Sequence, residues 1–222
     1  MLLTHWHGDH VGGVPDLIAY RPEFADRIYK NQPDPGQRDI EDGQVFEVEG
    51  ASIRAVATPG HAVDHMCFVL EEEQAMFTGD NVLGHGFSVV EDLGVYVQSL
   101  KRMKQQMCSL GYPAHGIEIH DLPKKMDEYI RHKALRESQT HATLMKHTHQ
   151  RGGTGAVKQT LSTRELIGAM YGPIPDEMYE LAVEPLIVEV LGKLAEDRRA
   201  GFLVQDGCQR WFGKPTQVQA AL

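Results

Sequence analysis

Apolar positions along the chain change their period several times, and each change marks an element. In "QVFEVEG" (44–50) and "ASIRAVAT" (51–58) apolar and polar residues alternate among β-branched and aromatic types, the pattern of strands with one buried face. Shorter runs of the same types, "RIYK" (27–30), "HMCFVLEEE" (65–73) and "QAMFTGD" (74–80), read as further strands, and Gly43, Gly50 and Pro59 punctuate the series. Residues 1–4 read as the end of a strand and "DLIAY" (16–20) as a short helix. From about Asp92 to Cys108 the period lengthens: Leu93, Val97, Leu100, Met103 and Met107 recur at helical spacing. A second helix, polar on most faces, is predicted from Leu122 to Thr148, and the glycine-rich "HQRGGTGAVK" (149–158) reads as a linker. Beyond it Ser162 stands three residues before Glu165, the capping-box spacing, and opens a helix. Two more helices and a pair of strands, "GFLV" (201–204) and "QRWF" (209–212), complete the chain. The predicted organisation is two domains, 1–150 and 151–222.

Length and composition narrow the class. A chain of 222 residues can bury a sizeable core. It has no run of 18 or more apolar residues and no basic, apolar and small-residue leader pattern, so a cytoplasmic protein with no membrane partner is expected. Cys67, Cys108 and Cys208 form no CxxC pair, which fits reduced thiols. A formal net charge of −9 gives no overall cationic field for phosphate backbones, which weighs against nucleic acid as a partner.

The candidate chemistry concentrates in "HWHGDH" (5–10), which holds His5, His7, Asp9 and His10. Imidazole nitrogen and carboxylate oxygen both bind zinc at about 2.0 Å, so ligands must converge from short spacings on a tight loop. His5 and His7 can point to one ion, and Asp9 and His10 can turn to a second. Gly12 and Gly13 let the backbone turn sharply afterwards. A solvated His-rich turn is the bland alternative, but later segments supply matching groups. His61 follows a Pro-Gly turn in "TPGHAVDH", Asp80 ends the strand "FTGD", and His115 lies in "YPAHG". Seven ligands from four loops suit a two-metal centre.

These residues resemble the metallo-β-lactamase superfamily, whose signature H-x-H-x-D-H is met by His5, His7, Asp9 and His10. The resemblance implies an α/β fold, the αββα sandwich. It also implies two Zn2+ ions per chain, one on His5, His7 and His61 and one on Asp9, His10 and His115, with Asp80 bridging and Asp9 relaying a proton as catalytic residue. The helix "DEYIRHKALRES" (127–138) and the tail from Ser162 to Asp197 are similar to the lactamase-β-like branch, which implies a winged-helix-like C-terminal domain. Within that branch, "GDNVLGHGFSVVEDL" (79–93) and its surroundings most closely resemble fungal thioesterases that work beside non-reducing polyketide synthases. That implies hydrolysis of a thioester, with the acyl carrier protein domain of a synthase and a small-molecule thioester as partners. Two alternatives stand: a metal-dependent endoribonuclease, which the same branch contains, and an inactive truncated relative. The family's sandwich has several strands ahead of the H-x-H-x-D-H loop, and this sequence begins four residues before it. The N-terminal strands are therefore expected to be missing, with a sheet edge and part of the apolar core exposed.

Other candidates carry a plain reading beside a functional one. His65 either supports a ligand or packs, and His85 and Phe87 either wall the pocket or sit on a structural loop. His141, His147 and His149 are expected on a solvated face. From Lys158 onward seven Lys/Arg face nine Asp/Glu, so the tail is expected to pack or cover the pocket rather than bind DNA. Docking of an acidic carrier domain would need a local basic patch, for which Lys101, Arg102 and Lys104 are the candidates.

Overall fold

Strand-forming residues at alternate positions assemble one five-stranded sheet in the computed structural model, which describes residues 1–148 and 159–216. Backbone contacts divide the chain into two units, Met1–Ile130 and Arg131–Leu222. The domain boundary expected at 150, the linker at 149–158 and His149 lie outside the described residues.

The sheet runs in sequence order: β1 (Val45–Val48), β2 (Ala51–Ala57), β3 (Met66–Leu70), β4 (Ala75–Gly79) and β5 (Leu110–Pro113). Gly50, at φ +82°, turns β1 into β2, a backbone region that glycine enters without a Cβ penalty. The first three pairings are antiparallel and β4–β5 is parallel. As a result the end of β2, the start of β3 and the ends of β4 and β5 all lie along one edge of the sheet. Successive side chains of β2 and β3 point to opposite faces. On one face Ala55, Met66 and Phe68 pack with Ile40 and, less deeply, with Leu2, Tyr29, Phe46 and Ile53. Facing away from them, Val56, Cys67 and Val69 are buried as well, so the centre of the sheet is covered on both sides.

The first unit begins with two short helices, α1 (Gly8–Val11) and α2 (Val14–Tyr20). "RIYK" forms no full strand. Tyr29 makes only isolated bridges, to Leu2 on one side and Arg38 on the other, because each neighbour runs beside it for a single residue pair. Helix α3 (Leu93–Gln105) starts at Asp92, whose side chain accepts from the Val95 amide at 2.9 Å. Its buried face is Leu93, Tyr96, Leu100 and Met103, and each fully buried side chain of this size contributes roughly 1.5–3 kcal/mol. Met107 lies beyond the helix, exposed and at φ +61°, where the chain reverses toward β5. β5, "LGYP", is too short and too little alternating to be read from sequence.

Helix α4 (Leu122–Thr148) begins in the first unit and ends in the second. The second unit continues with α5 (Thr163–Tyr171), a three-residue turn α6 (Asp176–Met178), a π-helical segment Tyr179–Val183, α7 (Glu184–Glu196) and a hairpin of β6 (Ala200–Gln205) and β7 (Cys208–Gly213). The Ser162–Glu165 capping box is present with both bonds. Ile187, Val190, Leu191 and Leu194 give α7 a buried stripe. Among the described residues no helix is long and apolar enough to cross a membrane.

Candidate metal centre

Four loops at the ligand-bearing edge of the sheet supply the seven residues expected from sequence. The first leaves Leu3, whose amide bonds to Tyr29 O at 2.9 Å, and carries His5 and His7 into the single turn α1. That turn closes through Gly12 N to Gly8 O at 2.7 Å, and a Cβ on Gly12 would meet the same oxygen at 2.5 Å. The second joins β2 to β3 and holds His61 behind Gly60. Gly60 has φ +127°, and a Cβ there would lie 2.4 Å from Tyr96 Cα, so only glycine lets α3 pack against this turn. Asp80 directly follows β4, and His115 follows β5.

One cluster is made of inward-facing imidazoles. His5 Nε2 lies 2.9 Å from His7 Nδ1 and 3.2 Å from His61 Nε2, and His61 Nε2 lies 3.1 Å from His7 Nδ1. His61 Nδ1 faces Val89 O at 2.7 Å, and a carbonyl only accepts, so that nitrogen carries the proton and Nε2 presents a lone pair. Three nitrogens at these separations match the roughly 3.3 Å expected between tetrahedral ligands held about 2.0 Å from a zinc ion. Burial, followed by the neighbouring imidazoles, depresses His5 to about 3. Burial likewise lowers His61. Both are thus neutral near pH 7, as ligands must be.

A second cluster stands beside it. Asp9 Oδ2 lies 3.1 Å from His115 Nε2 and 3.4 Å from His10 Nε2. Asp80 faces both groups, with Oδ2 at 3.3 Å from His10 Nε2 and 3.7 Å from His61 Nε2, and Oδ1 at 3.5 Å from His115 Nε2. His5, His7, His61 and Asp80 form one set of possible ligands, and Asp9, His10 and His115 form another. The buried atoms His10 Nε2 and Asp80 Oδ1 close no hydrogen bond, although buried polar atoms nearly always do. A cation beside them would satisfy both, and the donor set fits one.

Two supports were ambiguous or invisible in sequence. His65 is fully buried, accepts the Asp80 amide on Nε2 at 3.1 Å and meets Thr58 Oγ1 through Nδ1 at 3.0 Å. The Thr58 hydroxyl is donated to Cys67 Sγ, so His65 Nδ1 is the donor and the ring is neutral. Burial holds its pKa well below the ordinary value, and the surrounding histidines push the same way. The loop at 83–89 braces both clusters: Ser88 Oγ lies 3.0 Å from His61 Nδ1, and Gly84 N donates to His115 O at 2.8 Å. Tyr129 Oη pins this loop by accepting from Leu83 N at 3.1 Å and donating to Gly86 O at 3.0 Å, and its ring packs on Phe87. These contacts join residues remote in sequence, so no local pattern announces them.

One expectation is corrected. His141 is not on a freely solvated face, because its Nε2 lies 2.9 Å from Lys214 O and its Nδ1 3.4 Å from Arg199. Of the residues expected as a basic patch, Lys101 is exposed, and Arg102 and Lys104 make exposed ion pairs with Asp42 and Asp127.

A sheet that delivers histidines and aspartates from its loop ends into two adjoining clusters defines the metallo-β-lactamase class of hydrolase. Residues 17–115 match the family described as the metallo-beta-lactamase superfamily. Lactamase-like protein adaB of Aspergillus niger is 60% identical over 226 residues, covering 100% of this chain and 71% of that protein. Atrochrysone carboxyl ACP thioesterase of Aspergillus chevalieri is 56% identical over 211 residues, covering 95% of this chain and 67% of that protein. A crystal structure of a metallo-beta-lactamase family protein from Thermus thermophilus shares the fold, with a TM-score of 0.62 at 20% identity over 96% of this chain and 71% of that one. The chain belongs to the metallo-beta-lactamase superfamily.

Proposed function

We propose that this chain is a zinc-dependent thioesterase that releases an aromatic polyketide acid from the acyl carrier protein domain of a non-reducing polyketide synthase, in fungal secondary metabolism. The observation that carries this reading is 56% identity, over 95% of the chain, to a protein named for thioesterase action on an ACP-borne acyl group. The ligand set agrees with it. Imidazole and carboxylate donors are among those that zinc takes. His5, His7 and His61 would hold one ion and Asp9, His10 and His115 the other, with Asp80 between them. Two such ions, when bound, lower the pKa of water to about 7 and polarise a thioester carbonyl. Asp9 is the most exposed carboxylate of the set, 59% open at its side chain, and its Oδ2 stands 3.1 Å from His115 Nε2. From there it takes up the proton released when water attacks the acyl carbon and passes it outward. A thiolate leaving group, with a pKa of about 8–9, needs little acid assistance. The free, buried thiols of Cys67 and Cys108 suit a cytoplasmic setting.

The test mixes the purified protein with a carrier domain loaded with an aromatic polyketide. Free acid should be released, and a chelator should abolish the release. Asp9→Ala should lower the rate by at least about 100-fold. Cleavage of single-stranded RNA with the loaded carrier left intact would replace this reading with the endoribonuclease one. Two bound metals with neither reaction would point to an inactive relative.

A further inference from the structure

We infer that the buried Lys30–Asp64 pair is a positioning device for the first ligand cluster, fixing the His61 loop against the stretch that leads into His5 and His7 and so setting how tightly that cluster holds a divalent cation. The inference rests on the metal reading above. Lys30 Nζ lies 2.5 Å from Asp64 Oδ2, with side chains only 4% and 2% exposed. Asp64 sits inside the ligand loop, three residues after His61 and directly before His65. Lys30 Nζ donates its hydrogen bonds to Asn31 O at 3.2 Å and Gln32 O at 2.8 Å, and among the described residues the Asp64 carboxylate oxygens accept none, so the Lys30–Asp64 contact is one of charge. To offer that second carbonyl the backbone adopts φ +54° at Gln32, a conformation that L side chains rarely take. Asn31 adds a second tie to the same residue, donating from Nδ2 to Asp64 O at 3.2 Å.

The other end of this clamp is anchored to the histidine loop. Tyr29 N donates to Met1 O, and Leu3 N donates to Tyr29 O, both at 2.9 Å. Lys30 therefore stands next to a segment paired with residues 1–3, two positions short of His5. A direct bond between the two stretches, Met66 N to Thr4 O at 2.8 Å, sets the strand register but lies outside the span from His61 to Asp64. Within that span Val89 O and Glu91 Oε2 hold His61 Nδ1 and Val63 N, at 2.7 and 3.1 Å, and Lys30 and Asn31 hold its far end at Asp64. Stability is a poor reason for burying such a pair, because apolar residues of similar volume generally stabilise as well or better. A charge-specific contact does favour the arrangement that keeps Asp64 beside Lys30, and three nitrogens within 2.9–3.2 Å of one another tolerate little displacement.

The decisive variant is Lys30→Met/Asp64→Leu, since Lys30→Met alone strands a buried carboxylate and is expected to fold poorly. The measurement is cobalt(II) titration against a competing chelator, followed by visible absorption, alongside thermal melting. A His115→Ala background isolates the first cluster. The double variant should melt cooperatively near the parent temperature, yet hold cobalt in the first cluster roughly 10–100-fold more weakly, the usual effect of losing a support behind a ligand. In the background that retains His115, the second ion should bind as in the parent. A folded double variant with parental cobalt affinity overturns the inference while leaving the metal reading intact. A double variant that loses its cooperative melt also overturns it, because the pair would then serve folding rather than placement. A parent protein that binds no cobalt overturns the metal reading, and this inference falls with it.

Discussion

At the scale of single residues, His65 shows how a group that is no ligand governs one that is. Its Nε2 is the acceptor for the Asp80 amide, and Asp80 is the carboxylate that faces both clusters. His65→Phe replaces the imidazole with a larger apolar ring and leaves that buried N–H without a partner, which costs about 1–3 kcal/mol before any overpacking. Urea unfolding of the metal-free protein should register that loss, and zinc affinity should fall as well. An unchanged unfolding midpoint would mean that the bond carries no weight. The seven ligand candidates were legible in sequence, because four of them share one short loop, and His61 after a Pro-Gly turn, Asp80 at a strand end and His115 in "YPAHG" complete the set that the family resemblance implies. The role of His65 was not, since packing and support look alike until its partners Thr58 and Asp80 are seen.

At the scale of elements, the turn before β3 and helix α3 are built for each other. Gly60 O accepts from both Glu91 N at 2.8 Å and Asp92 N at 3.1 Å, and Ser99 Oγ donates to Pro59 O at 2.6 Å. Gly60→Ala would place a methyl group 2.4 Å from Tyr96 Cα on a backbone at φ +127°. Relief requires α3 to move, at about 1–3 kcal/mol or more, and His61 would move with the turn. The expected outcome is a lower melting temperature together with weaker cobalt binding. A variant that loses stability but binds cobalt normally would show that the turn and the ligand are uncoupled. The sequence pattern predicted most of these elements: α3 by its apolar spacing, α4 as a helix polar on most faces, and β1 to β4 by residue type. It missed β5, whose four residues are a strand only because β4 lies beside them, and it overcalled "RIYK", where Tyr29 makes only isolated bridges.

At the scale of the whole molecule, ligand binding and folding should be linked. Groups that gather only in the native state lend it the binding free energy of whatever they hold, about 2.7 kcal/mol per site at a ligand concentration 100 times the dissociation constant. Melting in excess zinc should therefore occur at a clearly higher temperature than melting in chelator, with the difference growing with free zinc. Equal melting temperatures would show that the clusters bind no zinc. The formal charge of −9 belongs to this scale too. Arg102 and Lys104 already face Asp42 and Asp127 in exposed ion pairs, so an acidic carrier domain docking there would compete with those carboxylates.

The sequence by itself determined the chemical alphabet of this protein: two strand-rich and helix-rich stretches, a capping box at Ser162, and a histidine–aspartate loop whose spacing suits metal ions. Those are local properties, set by neighbours within a few positions. Only the tertiary structure decided that the ends of β2, β4 and β5 and the start of β3 share one edge, so that ligands more than a hundred residues apart meet within hydrogen-bonding range, as Asp9 and His115 do at 3.1 Å. It alone paired Lys30 with Asp64 and set Tyr129 behind the 83–89 loop. Such contacts follow from sheet register and chain crossing, which no pattern of adjacent residues encodes.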